Sequence, residues 1–231
     1  MRRRKSLFVA CAAAVLVGVL AAFPAAAGDL TKWAARATGG TVLIEAENSR
    51  DTRFGSGFFF DRPGLVATAL QTVEGASGIR VSIPGRYAAS DAKLIAACST
   101  WDLAILAVSW PAEAAFPGLS IESGSSLAIG TEVAVSGYGQ IEGLEVRVPL
   151  TIRGIVSGRI DHRGGFSYIL DVSARPGFSG GPVYRTDNGG VVGVLTRLHA
   201  NGAGSGSGGA TPARALEDLL QSVARAPVQT K

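Results

Sequence analysis

The segment ARPGFSGGPVY, residues 174–184, places Ser179 between glycines where Pro176 and Gly177 mark a tight turn. A serine held this way projects its hydroxyl out of the chain, and glycine N–H groups beside it can converge on an oxyanion. Composition alone leaves two readings open, a structural Gly-Ser turn and a nucleophile turn. Other chemistry-bearing side chains are scarce. With Cys11 inside the N-terminal apolar run that reads as a removable leader, the two histidines, His162 and His199, and the one remaining thiol, Cys98, are too few for a structural zinc site, and no metal or other cofactor is expected. Cys98, inside KLIAAC, reads as a small buried hydrophobe.

The elements that must carry this turn are strands. Apolar, β-branched segments of strand length recur between Gly, Pro, Asn and Asp punctuation: TVLIEAE, GFFFDRPGLVAT, IRVSI, AKLIAA, DLAILAV, EVAVSGY, EVRVPLTIRGIV, SYILDVS and GPVYRTDNGGVVGVLTR. That spacing predicts an all-β sandwich or barrel and argues against alternating strand and helix units. Tight hairpins are expected at 61–64 and 187–190, where Gly and Asn supply positive φ angles. Helix is expected only at the ends. LTKWAARA is a short candidate, and the stretch from Thr211 is a better one, with Thr211 as N-cap, Pro212 at the first helical position and Leu216, Leu219, Leu220 and Val223 on one face. HANGAGSGSGG between the last strand and that helix reads as a flexible loop.

The N-terminus has the signature of a secretory signal. Arg2 to Lys5 are basic, Leu7 to Phe23 form an apolar run, and Ala25-Ala26-Ala27 precede Gly28, so residues 1–27 are expected to be removed on export to a periplasm or the cell exterior, with no stable membrane insertion afterwards. The leader also explains the basic balance. Four of the 22 Lys and Arg lie in it and none of the 18 Asp and Glu does, leaving 18 of each; the argument for a nucleic-acid or anionic-membrane partner leaves with it. Cys11 goes too, so no intrachain disulfide is available. The core must rest on apolar burial, for which about 200 residues suffice.

In order along the chain, GSGFFF (55–60), GLVATALQTVEGA (64–76), DLAILAV (102–108), PGFSGGPV (176–183), NGGVVGVLT (188–196) and TPARALEDLL (211–220) resemble the trypsin-like serine proteases, in particular bacterial exported proteases of the DegP/HtrA type. The resemblance covers roughly residues 35–224. It implies two antiparallel six-stranded β-barrels with an active site in the cleft between them, lobes at roughly 28–112 and 113–231, and a closing helix at 212–224. An appended peptide-binding domain after residue 231 is not expected. Carried over by position, Ser179 is the nucleophile, the Gly177 and Ser179 amides are the oxyanion-hole donors, Asp102 is the orienting carboxylate, and Ser173 lies at the base of the first specificity pocket. An uncharged Ser173 implies a preference for small or apolar residues.

The family's histidine position falls on Gln71. A shift in register cannot repair this, because the family runs histidine, aspartate, serine along the chain and both histidines here follow Asp102. A serine hydroxyl becomes a nucleophile when an adjacent base takes its proton and later returns it to the leaving group. A primary amide is not basic near neutral pH. Gln71 can donate an N–H to Asp102 and accept from Ser179 through its carbonyl, satisfying both without activating either. Loss of the triad imidazole removes on the order of 10⁶ in kcat, roughly 8 kcal/mol of barrier lowering.

His199, next to the glycine-rich loop, would approach Ser179 from the wrong side to pair with Asp102, and His162, between Asp161 and Arg163, reads as a solvated turn. Phe178 reads as a packing substitution, although a ring beside the nucleophile could disturb the oxyanion turn. The sequence therefore points first to an exported pseudoprotease whose groove holds a peptide or an unfolded, extended protein segment. An active serine endopeptidase with an unorthodox base and a structural envelope protein are the alternatives.

Overall fold

The structure is a computed structural model that describes residues 30–110, 116–124, 126–143, 147–199 and 207–225; the expected signal segment lies outside them. Two closed barrels of six antiparallel strands make up the body. The first contains β1 (Thr41–Glu47), β2 (Thr52–Phe59), β3 (Leu65–Ala69), β4 (Gly78–Ile83), β5 (Tyr87–Cys98) and β6 (Leu103–Val108), closed in the order β1-β2-β3-β6-β5-β4. The second contains β7 (Glu132–Gly137), β8 (Leu150–His162), β9 (Gly165–Asp171), β10 (Pro182–Arg185), β11 (Val191–His199) and β12 (Ser207–Pro212), closed in the order β10-β11-β12-β9-β8-β7. Helix α1 (Leu30–Gly40) leads into β1, a single turn α2 (Leu70–Val73) follows β3, and α3 (Ala213–Arg225) follows β12.

Successive side chains on a strand point to opposite faces, and here both faces of the central strands are buried. On β6, Leu103 and Ile105 join the cluster between the barrels while Ala104 and Leu106 fill the first barrel's interior. Phe58 and Phe59 divide in the same way. This double burial is why DLAILAV and GFFF read as unbroken apolar runs rather than alternating ones. Leu216 and Leu219 of α3 complete the inter-barrel cluster with Tyr184 and Val194. The leucine face expected of the C-terminal helix is thus its docking face. The second interior is built on Val133, Val135, Leu170, Leu195 and Phe178.

Several local expectations need correction. Helix is not confined to the ends: α2 is a buried single turn directly after β3. Thr211 is no N-cap, because it belongs to β12 and its hydroxyl donates to the Trp101 carbonyl (2.7 Å). The glycine-rich stretch is partly ladder. His199 pairs with Ser207, and Gly208 and Gly209 pair with β11 and β9, while 200–206 lie outside the described residues. Both expected hairpins are present. The positive φ angles are supplied by Asp61 (57°) and Gly64 in the first and by Gly189 in the second. Asn188 instead accepts the Gly190 N–H (2.9 Å). Cys98 is half-buried at the end of β5 against the inter-barrel cluster.

Candidate active site

The Ser179 turn is fixed by glycines in places where no larger residue fits. Gly177 has φ +97°, and a Cβ there would sit 2.4 Å from the Tyr138 carbonyl oxygen. At Gly180 (φ +88°) a Cβ would fall 2.1 Å from the Ser56 carbonyl oxygen, and at Gly181 2.1 Å from that of Ser136. Positive φ and this closeness together require glycine. The turn is stitched by Phe178 N–H to Arg175 O (3.1 Å) and Gly181 N–H to Phe178 O (2.9 Å), and joined to β11 by Gly180 N–H to Leu195 O (2.6 Å). The amides of Gly177 and Ser179 make no backbone hydrogen bond among the described residues. Phe178 is fully buried in the second barrel, its ring against the backbone of Gly137 and Gly139. The ring supports the turn from beneath.

Ser56 of β2 locks this turn to the first barrel. Its Oγ donates to the Gly177 carbonyl (2.6 Å) and accepts from Tyr138 N–H (2.8 Å), and its own N–H donates to the Ser179 carbonyl (2.8 Å). Thr68 Oγ1 donates to the Ser56 carbonyl (2.7 Å). Ser56 is completely buried. In the sequence Ser56 is one residue of GSGFFF; its small side chain between two glycines marks a close approach of backbones, and nothing local names its partners. Tyr138 beside it is also buried, its hydroxyl without a partner. Burial pushes that phenol up to about 12, against a smaller opposing effect of Arg86.

Asp102 stands at the entrance to β6 with φ +51°, a left-handed conformation that aspartate tolerates better than most side chains. Its carbonyl accepts Leu70 N–H (3.0 Å) and its carboxylate accepts the backbone N–H of Gln71 (2.7 Å). Arg53 grips the other end of α2, donating to the carbonyls of Gln71 (2.9 Å) and Glu74. Both ends of a four-residue helix are thus tied to neighbouring strands. A helix this short does not stand alone.

The Gln71 side chain goes elsewhere than its residue type suggested. Its amide nitrogen donates to the Thr196 carbonyl of the second barrel, so the expected pairing of that amide with Asp102 and Ser179 is not formed. The acceptor is available because the β11–β12 register shifts between Leu195 and Arg197, which leaves Thr196 as an extra residue in the ladder. Gln71 therefore bridges the barrels at the residue next to Leu195, which itself holds the Ser179 turn. Ser179 is half-exposed, and no side chain among the described residues is hydrogen-bonded to its hydroxyl.

The remaining candidates lie apart from this network. Ser173 is exposed between buried Val172 and half-buried Ala174. His162 is exposed; its Nε2 pairs with Ser167 Oγ (3.0 Å) and its ring meets the Trp101 edge at 6.2 Å between centroids. His199 closes β11 opposite Ser207. No group of three or more His, Cys, Asp and Glu side chains that could hold a metal ion occurs among the described residues.

The trypsin-like peptidase domain family matches residues 55–194, a span that starts within β2 and includes α2, Asp102 and the Ser179 turn. The chain belongs to this family. Among curated relatives of this trypsin-like peptidase, the chloroplastic Protease Do-like 1 of Arabidopsis thaliana is 27% identical over 175 residues, 74% of this chain and 39% of that protein. The probable periplasmic serine endoprotease DegP-like of Halomonas elongata is 31% identical over 152 residues, 65% of this chain and 30% of that protein. The chain thus spans about two fifths or less of the length of these relatives. An HtrA-type protease, AlgW, solved with a tripeptide, superposes with a TM-score of 0.70 at 19% identity over 85% of this chain and 64% of that one. The trypsin-like domain described here is of the DegP/HtrA type. No helix among its described residues is long and apolar enough to cross a membrane.

Proposed function

We propose that this chain is an exported, catalytically silent trypsin-like peptidase that holds an extended peptide or unfolded protein segment in the cleft between its barrels. The observation that carries the proposal is the engagement of Gln71. The residue in the base position cannot take a proton at neutral pH, and its amide is a structural bridge to Thr196. In this reading Ser179 is the vestigial nucleophile, Asp102 orients α2 through the Gln71 backbone, and Gly177 and Ser179 form an oxyanion cradle that recognises a carbonyl without reacting with it. Ser173 faces an uncharged side chain of the bound segment. Support for a peptide ligand comes from the family, in which AlgW was solved with a tripeptide. Support for export comes from the leader-like N-terminus and a relative described as periplasmic.

The test uses the protein beginning at Gly28 with labelled casein and a degenerate peptide pool. The proposal expects no casein turnover above that of Ser179→Ala, together with peptide-dependent protection of amides at 177–181 and 194–197 in hydrogen exchange. Turnover that disappears in Ser179→Ala would overturn the silent-enzyme reading. Absence of protection by any peptide would overturn the binding reading.

A further inference from the structure

We infer that the cleft selects segments carrying a carboxylate close to the residue that faces Ser179, and that Arg147, seated on the Phe54 ring, is the group that reads it. This rests on the peptide-binding reading and specifies its ligand.

The placement follows from β2. Ser56 directs its hydroxyl into the Ser179 turn, and Phe54 lies two residues earlier on the same face of the strand. Two residues along a strand cover about 6.5–7 Å, so the Phe54 ring is one repeat away from the turn. It remains 39% exposed. Arg147, on the loop that leads into β8 of the other barrel, places its guanidinium carbon 4.1 Å from the centre of that ring. Exposed Val148 follows it. The two barrels thus meet at a small aromatic and cationic shelf beside the nucleophile turn.

Stacking uses the face of the guanidinium and leaves its N–H edge open, the edge that matches a carboxylate in a bidentate pair. Several surface arginines are neutralised by carboxylates, Arg80 by Glu45 and Glu47, Arg153 by Glu132, and Arg185 by Asp187 and Glu122. Among the described residues Arg147 has no carboxylate partner. Nor does Arg175, exposed on the Ser179 loop itself. The carboxylate of Asp102 is already engaged by the Gln71 N–H. An open guanidinium edge on Arg147 and an exposed Arg175 on the Ser179 loop are groups that favour an acidic segment.

The test compares two fluorescein-labelled degenerate decapeptide pools, one with a fixed central Glu and one with Gln there, by fluorescence polarisation at about 50 and 500 mM salt. The Glu pool is expected to bind on the order of five- to tenfold tighter at low salt, with most of that margin lost at high salt. Arg147→Gln should reduce the margin to about twofold or less. Phe54→Leu should reduce it in part, by freeing the guanidinium from its seat. Equal binding of the two pools, or a margin that survives Arg147→Gln in a protein with unchanged urea unfolding, would refute the inference while leaving peptide binding intact. Binding of neither pool would remove the peptide reading and this inference with it.

Discussion

Removing the Ser56 hydroxyl should damage the protein far more than its size suggests. Ser56→Ala deletes one oxygen, yet that oxygen donates to Gly177 O at 2.6 Å and accepts Tyr138 N–H at 2.8 Å, with Ser56 and Tyr138 fully buried. Alanine leaves one carbonyl and one N–H unpaired, each worth about 1–3 kcal/mol when water cannot reach it. A loss of about 2–4 kcal/mol is expected, a large part of the stability of an ordinary domain. With a urea slope of about 2 kcal/mol/M the unfolding midpoint should fall by roughly 1–2 M. Native-state hydrogen exchange should show accelerated exchange at Tyr138 and around Gly177, because the bridge is what holds the Ser179 turn against the first barrel. A midpoint shift below about 0.3 M, with no change in exchange at Tyr138, would refute the assigned bridge.

Other outcomes follow from the same contacts. Burial raises the Tyr138 phenol to about 12, so the unfolded chain ionises first. Stability should therefore be intact below pH 10 and fall by about 2–3 kcal/mol as pH rises from 10 to 12, a loss that Tyr138→Phe largely removes in pH-dependent urea titrations. Because the hydroxyl has no partner, Tyr138→Phe should also equal or exceed the wild type in stability at pH 7, by up to about 1 kcal/mol. Gly180→Ala, which drives a Cβ to 2.1 Å from the Ser56 carbonyl oxygen, should destabilise by more than about 3 kcal/mol or prevent soluble expression. Gln71→Ala removes only one half-exposed bridge and should lower stability by about 0.5–1 kcal/mol, read from the urea midpoint.

The barrels were legible because strand-length apolar segments separated by Gly, Pro and Asp turns leave few other architectures, and the order of motifs narrowed these to one. What could not be read was tertiary. Helix α2 is four residues long, too short for a 3.6-residue period to register. Thr211-Pro212 carries a helix-start pattern, but pairing within β12 and the Trp101 carbonyl claimed Thr211. That no histidine precedes Asp102 is visible in the chain order of His162, His199 and Asp102. The partner of Gln71 is not, because the free Thr196 carbonyl exists only where β11 gains a residue over β12. Ser56 gave a hint through its flanking glycines and no indication of the groups it joins.

The proposed chemical silence of Ser179 is most directly tested by its rate of reaction with a fluorophosphonate, in wild type, Gln71→His and Ser179→Ala. Asp102 already holds the backbone of residue 71, so an imidazole introduced there gains an orienting carboxylate. We predict wild-type labelling indistinguishable from Ser179→Ala and an acceleration on the order of 10²–10⁴ in Gln71→His, the range of positioned general-base catalysis. Rapid labelling of the wild type that requires Ser179 and gains nothing from the histidine would contradict the account.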